Sequence, residues 1–289
     1  MGKKREQKPK GEKLFTDKRL AVVSAAFVSI IIIGLLFYQF SMHNSETEFP
    51  LEAAIIDQIG ENLPSSPESA RWFNETVTQI LENAGFNVSY HKSESITVDF
   101  YKGLAKYGYG IIVLRAHAAM RKGETEIDFF TSEKFREHSY VDERNNGLIT
   151  VGSYSWTTDE FFTITPKFIE SLEGSFPNSI IVAMGCHSLN QSCTEMAQAF
   201  INKGAKAYIG WTSDVSMSHS DNSTVCFLRY LLEENMTVKD AIGKITRDPL
   251  YLGRLSYYPS EIGDYQFSNF TNFILLNKTF CKKREAKMP

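Results

Sequence analysis

The sequence predicts an α/β fold: an open, mostly parallel sheet flanked by helices, with a side β-hairpin, preceded by one N-terminal transmembrane helix. Three observations carry this. Apolar segments of strand length alternate with helical patterns along most of the chain. Two segments with period-two alternation flank the turn "ERNNG". Near the N-terminus, Leu20 to Phe40 holds no charged residue.

That run follows residues 1–19, which carry eight Lys or Arg against three acids. At a rise of about 1.5 Å per residue it covers roughly 31 Å, the thickness of a bilayer's hydrocarbon core. A cleaved signal peptide has an apolar region of only about 7 to 15 residues and a small-x-small end; this run ends in bulky Phe37, Tyr38 and Phe40. Residues 20–40 are therefore expected to be an uncleaved signal anchor in the cell membrane. The basic flank, residues 1–19, lies in the cytoplasm, and the rest of the single-pass chain lies outside. Residues 41–50 read as a linker, 51–280 as one extracytoplasmic domain, and 281–289 as a basic tail.

Within the domain, "EAAIIDQIG" (52–60) reads as a strand and residues 65–85 as a helix. Ser66 is placed as its cap, Pro67 at its first position and Gly85 at its end, with Trp72, Val77, Ile80 and Leu81 on the apolar face. A strand "NVSYH", a helix over 97–107 and the strand "GIIVLRA" follow. "TEIDFF" and "GLITVGSY" form the expected hairpin. The parallel pattern then resumes with a helix at 166–172, the strand "SIIVAMG", a helix at 193–202 and the strand "AKAYIG". Helices over 220–234 and 237–247 follow, and "NFILLN" reads as a last strand. Strands that are apolar throughout belong in a sheet interior.

The chain's net charge is −3. With the basic N-terminal segment set apart, the remainder is acidic, and the footprint of a nucleic-acid binder is missing. Seven N-x-[ST] sequons, at Asn74, Asn87, Asn190, Asn222, Asn235, Asn269 and Asn277, exceed the chance number and point to an exported glycoprotein. All four cysteines, Cys186, Cys193, Cys226 and Cys281, fall in the exported part, where thiols oxidise unless protected or used. One disulfide among Cys193, Cys226 and Cys281, with Cys186 free, is the preferred reading; two structural disulfides are the alternative. A metal site using Cys186, His187, Cys193, His219 and Cys226 lacks any C-x-x-C or H-E-x-x-H spacing.

Two apolar strands run straight into reactive side chains: "IIVLRAHAAM" into His117 and "SIIVAMGC" into Cys186. Loops beyond the carboxyl ends of parallel strands converge on a ligand crevice. If the strands are neighbours, imidazole and thiol face each other; a thiolate is then favoured at neutral pH, and thiolates are the nucleophiles of acyl transfer. Backbone N–H groups near Ala118 and Gly185-Cys186 are placed to hold an oxyanion. His187, beside the thiol, reads as structural.

"GIIVLRAHA", "SIIVAMGC" and "AFINKGAKAYIGWTSDVS" together resemble the caspase-like fold of clan CD cysteine peptidases, a group that includes caspases, gingipains, separases and CHAT domains; the chain is most similar to the CHAT and gingipain types. The resemblance covers about 40 residues directly and organises about 200. It implies a cysteine endopeptidase acting on protein or peptide substrates without a cofactor. Cys186 would be the nucleophile, His117 the general base and acid, and Gly185 the shaper of the turn. It further implies a substrate pocket at Trp211 and Asp214, with Asp214 selecting Lys or Arg. The family's glycine after the histidine is Ala118 here. A catalytically inactive module that binds peptides or partner proteins at the cell surface is the other reading.

Overall fold

The computed structural model describes residues 49–60, 67–121 and 126–270. In chain order the first half contains β1 (Glu52–Asp57), α1 (Pro67–Asn83), β2 (Asn87–His91), α2 (Val98–Gly103) and β3 (Ile111–Arg115). Four strands and a short helix follow: β4 (Ala118–Met120), β5 (Ile127–Lys134), α3 (Val141–Asn145), β6 (Ile149–Ser153) and β7 (Glu160–Ile164). The second half runs α4 (Pro166–Ser171), β8 (Ile180–Ala183), α5 (Glu195–Asn202), β9 (Ala207–Trp211), α6 (Met217–Leu232), α7 (Val238–Gly243), β10 (Leu255–Tyr258) and α8 (Phe267–Phe270).

Local chemistry sets several of these boundaries. Thr97, Thr165 and Thr237 cap α2, α4 and α7 by accepting the backbone N–H of Phe100, Phe168 and Asp240. Gly85 stops α1 in a left-handed conformation, φ 97°, that residues with a Cβ rarely adopt. Ser66, the expected cap of α1, lies outside the described residues.

The main sheet has six strands in the order β10-β9-β8-β3-β1-β2; all neighbours are parallel except the edge pair β10·β9. Its central strands alternate between two apolar layers, as pleating requires. Ile111 and Val113 of β3 pack with α1, α6 and α7 on one face; Ile112 and Leu114 pack with α2, α4 and α5 on the other. The second sheet adds Phe129, Phe162 and Ile164 to that latter layer.

The expected fold is corrected in three respects. First, the sheet is mixed, because β10 closes its edge antiparallel; "NFILLN", expected as the last strand, lies outside the described residues. Second, the side hairpin is not a hairpin. "TEIDFF" and "GLITVGSY" supply β5 and β6, which do not pair: β7 inserts between them, giving a four-stranded antiparallel sheet, β4-β5-β7-β6, irregular between Phe130 and Lys134. The "ERNNG" turn instead ends α3, with Gly147 at φ 69°. Third, among the described residues no helix is long and apolar enough to cross a membrane; the span expected at 20–40 lies outside them.

Smaller differences follow from packing. On α1 the buried face is Phe73, Val77, Ile80 and Leu81, whereas Trp72 is 42% exposed, because a stripe begun at 73 repeats at i+4, i+7 and i+8. Cys193 and Cys226 are both free thiols, so neither forms the expected disulfide. Cys193 sits in one core layer, while Val225 and Phe227, which flank Cys226, sit in the other, so the sheet stands between the two thiols. Cys281 and Asn277 lie outside the described residues.

Candidate active site

Strands β3 and β8 are parallel neighbours, with Leu114 paired to Ala183. Three residues further along each chain come His117 and Cys186. Equal offset beyond a shared register carries both to the same level of the carboxyl edge. There they line one cavity of about 550 Å³, whose walls also include Gly185, Asp214 and Trp156.

The loops approach closely here. A Cβ added at Gly185 would stand 2.6 Å from Ala118 Cβ and 2.7 Å from the Ala116 carbonyl, so only glycine fits. This close packing gives Gly185 its place. Ala118 needs no glycine geometry, since its φ is not among the positive values. It stands opposite Phe129 in β4·β5, and the adjacent Phe130 N–H bonds to the His117 carbonyl. By antiparallel alternation the Ala118 N–H turns away from β5. Its nitrogen is 2.9 Å from the position a Gly185 Cβ would take, which sets the expected oxyanion donor beside the Cys186 turn.

His117 is held by its backbone and by rings. Its N–H donates to Gln58 Oε1 at 2.9 Å, and the same Gln58 amide donates to the Tyr154 hydroxyl at 2.9 Å. The imidazole lies 5.0 Å from the Tyr154 ring, 5.5 Å from Phe130 and 5.8 Å from Trp156. Burial pushes its pKa down, and the Asp214 carboxylate only partly opposes this. The Cys186 thiol donates to the Val215 carbonyl at 3.6 Å. Burial pushes its pKa up; Asp214 pushes the same way, against backbone hydrogen bonding at Val215 and at Cys186 itself. The resting pair is therefore neutral imidazole and thiol. This corrects the expected thiolate: low dielectric and a nearby carboxylate both penalise the anion.

Asp214 lines the cavity with its side chain 59% exposed, and its Oδ1 lies 3.2 Å from His187 Nε2. His187 takes a left-handed backbone, φ 58°, uncommon for a bulky residue, and its N–H donates to Ser213. The Asn190 amide lies 3.3 Å from His187 Nδ1, which leaves Nε2 to carry the proton toward Asp214. His187 thus braces Asp214 as a structural residue. Asn190, expected as a glycosylation site, also bonds the Thr212 carbonyl and the Ser192 N–H, so its side chain is committed to this turn. Asn87, Asn222, Asn235 and Asn269 are exposed, and Asn74 is half-buried.

Trp211 does not wall the cavity. It is fully buried, with its indole N–H on Ser220 Oγ, and Ser220 in turn donates to the Met184 carbonyl just before Gly185. Its place in the central β9 explains this: inward-facing strand residues enter the core. His219, from the metal alternative, contacts the Thr246 carbonyl at 3.0 Å, and no group of three or more His, Cys, Asp or Glu placed for a metal occurs among the described residues.

The structure adds a buried ionic cluster that sequence reasoning missed. Arg115, ending β3, gives Nε and Nη2 to the two oxygens of Asp221 at 2.9 and 3.0 Å, and Nη1 to Asp57 at 2.8 Å. Arg115 and Asp221 line the same cavity as His117 and Cys186, and all three residues of the cluster are essentially unexposed. The signal was present: Arg115 is the one charge in an otherwise apolar strand. Comparison with models of known protein families and with curated proteins finds no match.

Proposed function

We propose that this chain is a cysteine endopeptidase working outside the cytoplasm. The supporting observation is the matched register that sets His117 and Cys186 three residues beyond paired positions, facing one cavity. In this reading a peptide carbonyl enters beside Gly185. The Cys186 proton passes to His117 as sulfur bonds to the carbonyl carbon, and backbone N–H groups of Ala118 and Cys186 hold the oxyanion. The C–N bond then breaks, with the proton leaving His117 for the amine. Water, deprotonated by His117, cleaves the thioester. No step calls for a cofactor.

In this reading Asp214, which lines the cavity, selects Lys or Arg at the cleaved bond. Asp214→Asn is expected to lower kcat/KM for Lys and Arg substrates by about 10-fold or more, leaving other substrates nearly unchanged. Equal losses on all substrates would remove Asp214 from the specificity pocket.

Two observations favour the second reading, a peptide-binding module without turnover: the imidazole has no hydrogen-bonded third group among the described residues, and the resting thiol is protonated. Labelling with a peptidyl chloromethyl ketone, mapped by mass spectrometry, separates the two. The enzyme reading expects labelling at Cys186 that falls at least about 100-fold in His117→Ala. A folded protein whose Cys186 resists the reagent belongs to the second reading.

A further inference from the structure

Leu250, Tyr251 and Leu252 are 69%, 50% and 56% exposed, three successive large apolar side chains turned to solvent. Scattered exposed apolar residues need no explanation, but a contiguous run marks a contact surface. This run is also held in place. Leu252 has φ 61°, a left-handed conformation that branched side chains resist.

The constraint comes from one carboxylate. Asp248 is fully buried; its Oδ1 accepts the Leu250 and Tyr251 N–H groups at 2.7 Å each, and its Oδ2 accepts the Ser216 N–H and hydroxyl at 2.9 and 2.6 Å. Ser216 follows Val215, whose carbonyl receives the Cys186 thiol. Gly253 seals the join, because a Cβ there would fall 2.3 Å from the Asp214 carbonyl. Asp248 thus fastens the apolar run to the segment that forms the thiol side of the cavity.

Leu250 and Tyr251 line the same cavity as Cys186. Trp156 lines the cavity too, its ring 5.8 Å from that of His117; it is 56% exposed and stacked on Tyr154 at 5.0 Å with the rings 3° apart. Apolar side chains from two separate segments therefore line the cavity that holds His117 and Cys186. We propose that Leu250, Tyr251 and Trp156 form a subsite for a large apolar side chain of the peptide, next to the residue held by Asp214. This rests on the peptidase reading and deepens it: the substrate class becomes peptides pairing an apolar residue with a basic one. The continuity of the apolar run with the nucleophile's cavity is what assigns it to a peptide.

The test uses coumarin amides of Ac-Phe-Arg, Ac-Leu-Arg and Ac-Ala-Arg with the full-length protein, Leu250→Ser/Tyr251→Ser and Trp156→Ser. Wild type is expected to prefer Phe or Leu over Ala by about 10-fold or more in kcat/KM, mainly through KM. Either variant should bring the ratio to within about twofold, and Leu250→Ser/Tyr251→Ser should do so with Tm and iodoacetamide alkylation of Cys186 unchanged. A ratio that survives both variants overturns the proposal, as does a flat wild-type ratio. Vesicle binding lost with Leu250 and Tyr251, with peptide selectivity intact, makes the run a membrane contact and overturns it too. Should wild type cleave nothing while Cys186 still alkylates, the peptidase reading fails alone. Protection of Cys186 by Ac-Phe-Arg-amide over Ac-Ala-Arg-amide then reads the subsite: protection that vanishes in Leu250→Ser/Tyr251→Ser supports it, and equal protection overturns it.

Discussion

Cys186→Ala is expected to reduce hydrolysis to background, and His117→Ala to lower kcat/KM by about 10²–10⁴-fold, with both proteins folded as the wild type. Cys186 and His117 are half-buried at loop tips beyond the strands, and neither side chain carries a packing role comparable to Trp211 beneath them. The pH dependence separates this pair from a preformed ion pair. Because burial lowers the His117 pKa, the imidazole stays neutral below its ordinary value of about 6.5, so the acid limb of kcat/KM should fall below that value. Because burial and Asp214 raise the Cys186 pKa, iodoacetamide alkylation, which reads free thiolate, should keep climbing past neutral pH. Turnover level from weakly acidic pH while alkylation still rises is the signature of proton transfer during attack. Alkylation that plateaus at neutral pH would instead show a resting thiolate and sink this account.

What the sequence made legible was local. His117 and Cys186 each end an apolar strand, and a short apolar run bounded by a loop is readable without knowing its partners. The existence of β5 and β6 was equally readable from alternation, but not their pairing, because period two specifies a face and is silent about the neighbour. β7 took the place between them, and the turn assumed to join them closed a helix. Short, half-exposed β10, "LSYY", carried too little apolar signal to be seen. The protonation state was misread because it depends on burial and on Asp214, which lies 28 residues away in the chain. The lip at Leu250–Leu252 was invisible for a related reason: its anchor is a carboxylate reaching Ser216 across 32 positions.

The other large expected effect comes from the Arg115 cluster, whose partners stand 58 and 106 residues away. Arg115→Leu is expected to cost about 3–5 kcal/mol of stability, because it removes the guanidinium and leaves two buried carboxylates facing each other. Asp57 keeps the Gly60 N–H and the Tyr90 hydroxyl, but Asp221 loses both charge-assisted bonds. Burial already pushes the Asp221 pKa up in the wild type, with Arg115 restraining it. Without Arg115 that carboxyl rises further above its unfolded value of about 3.9. The folded variant then binds more protons than its unfolded chain, so its stability falls as pH rises through that window. Urea denaturation should therefore show a deficit that is larger at pH 8 than at pH 5. Changing Asp221 to Asn as well should recover part of it, since an amide does not need the missing charge. A deficit independent of pH would mean that Asp221 does not titrate once Arg115 is gone, and the cluster would then hold β1, β3 and α6 together by packing rather than by charge.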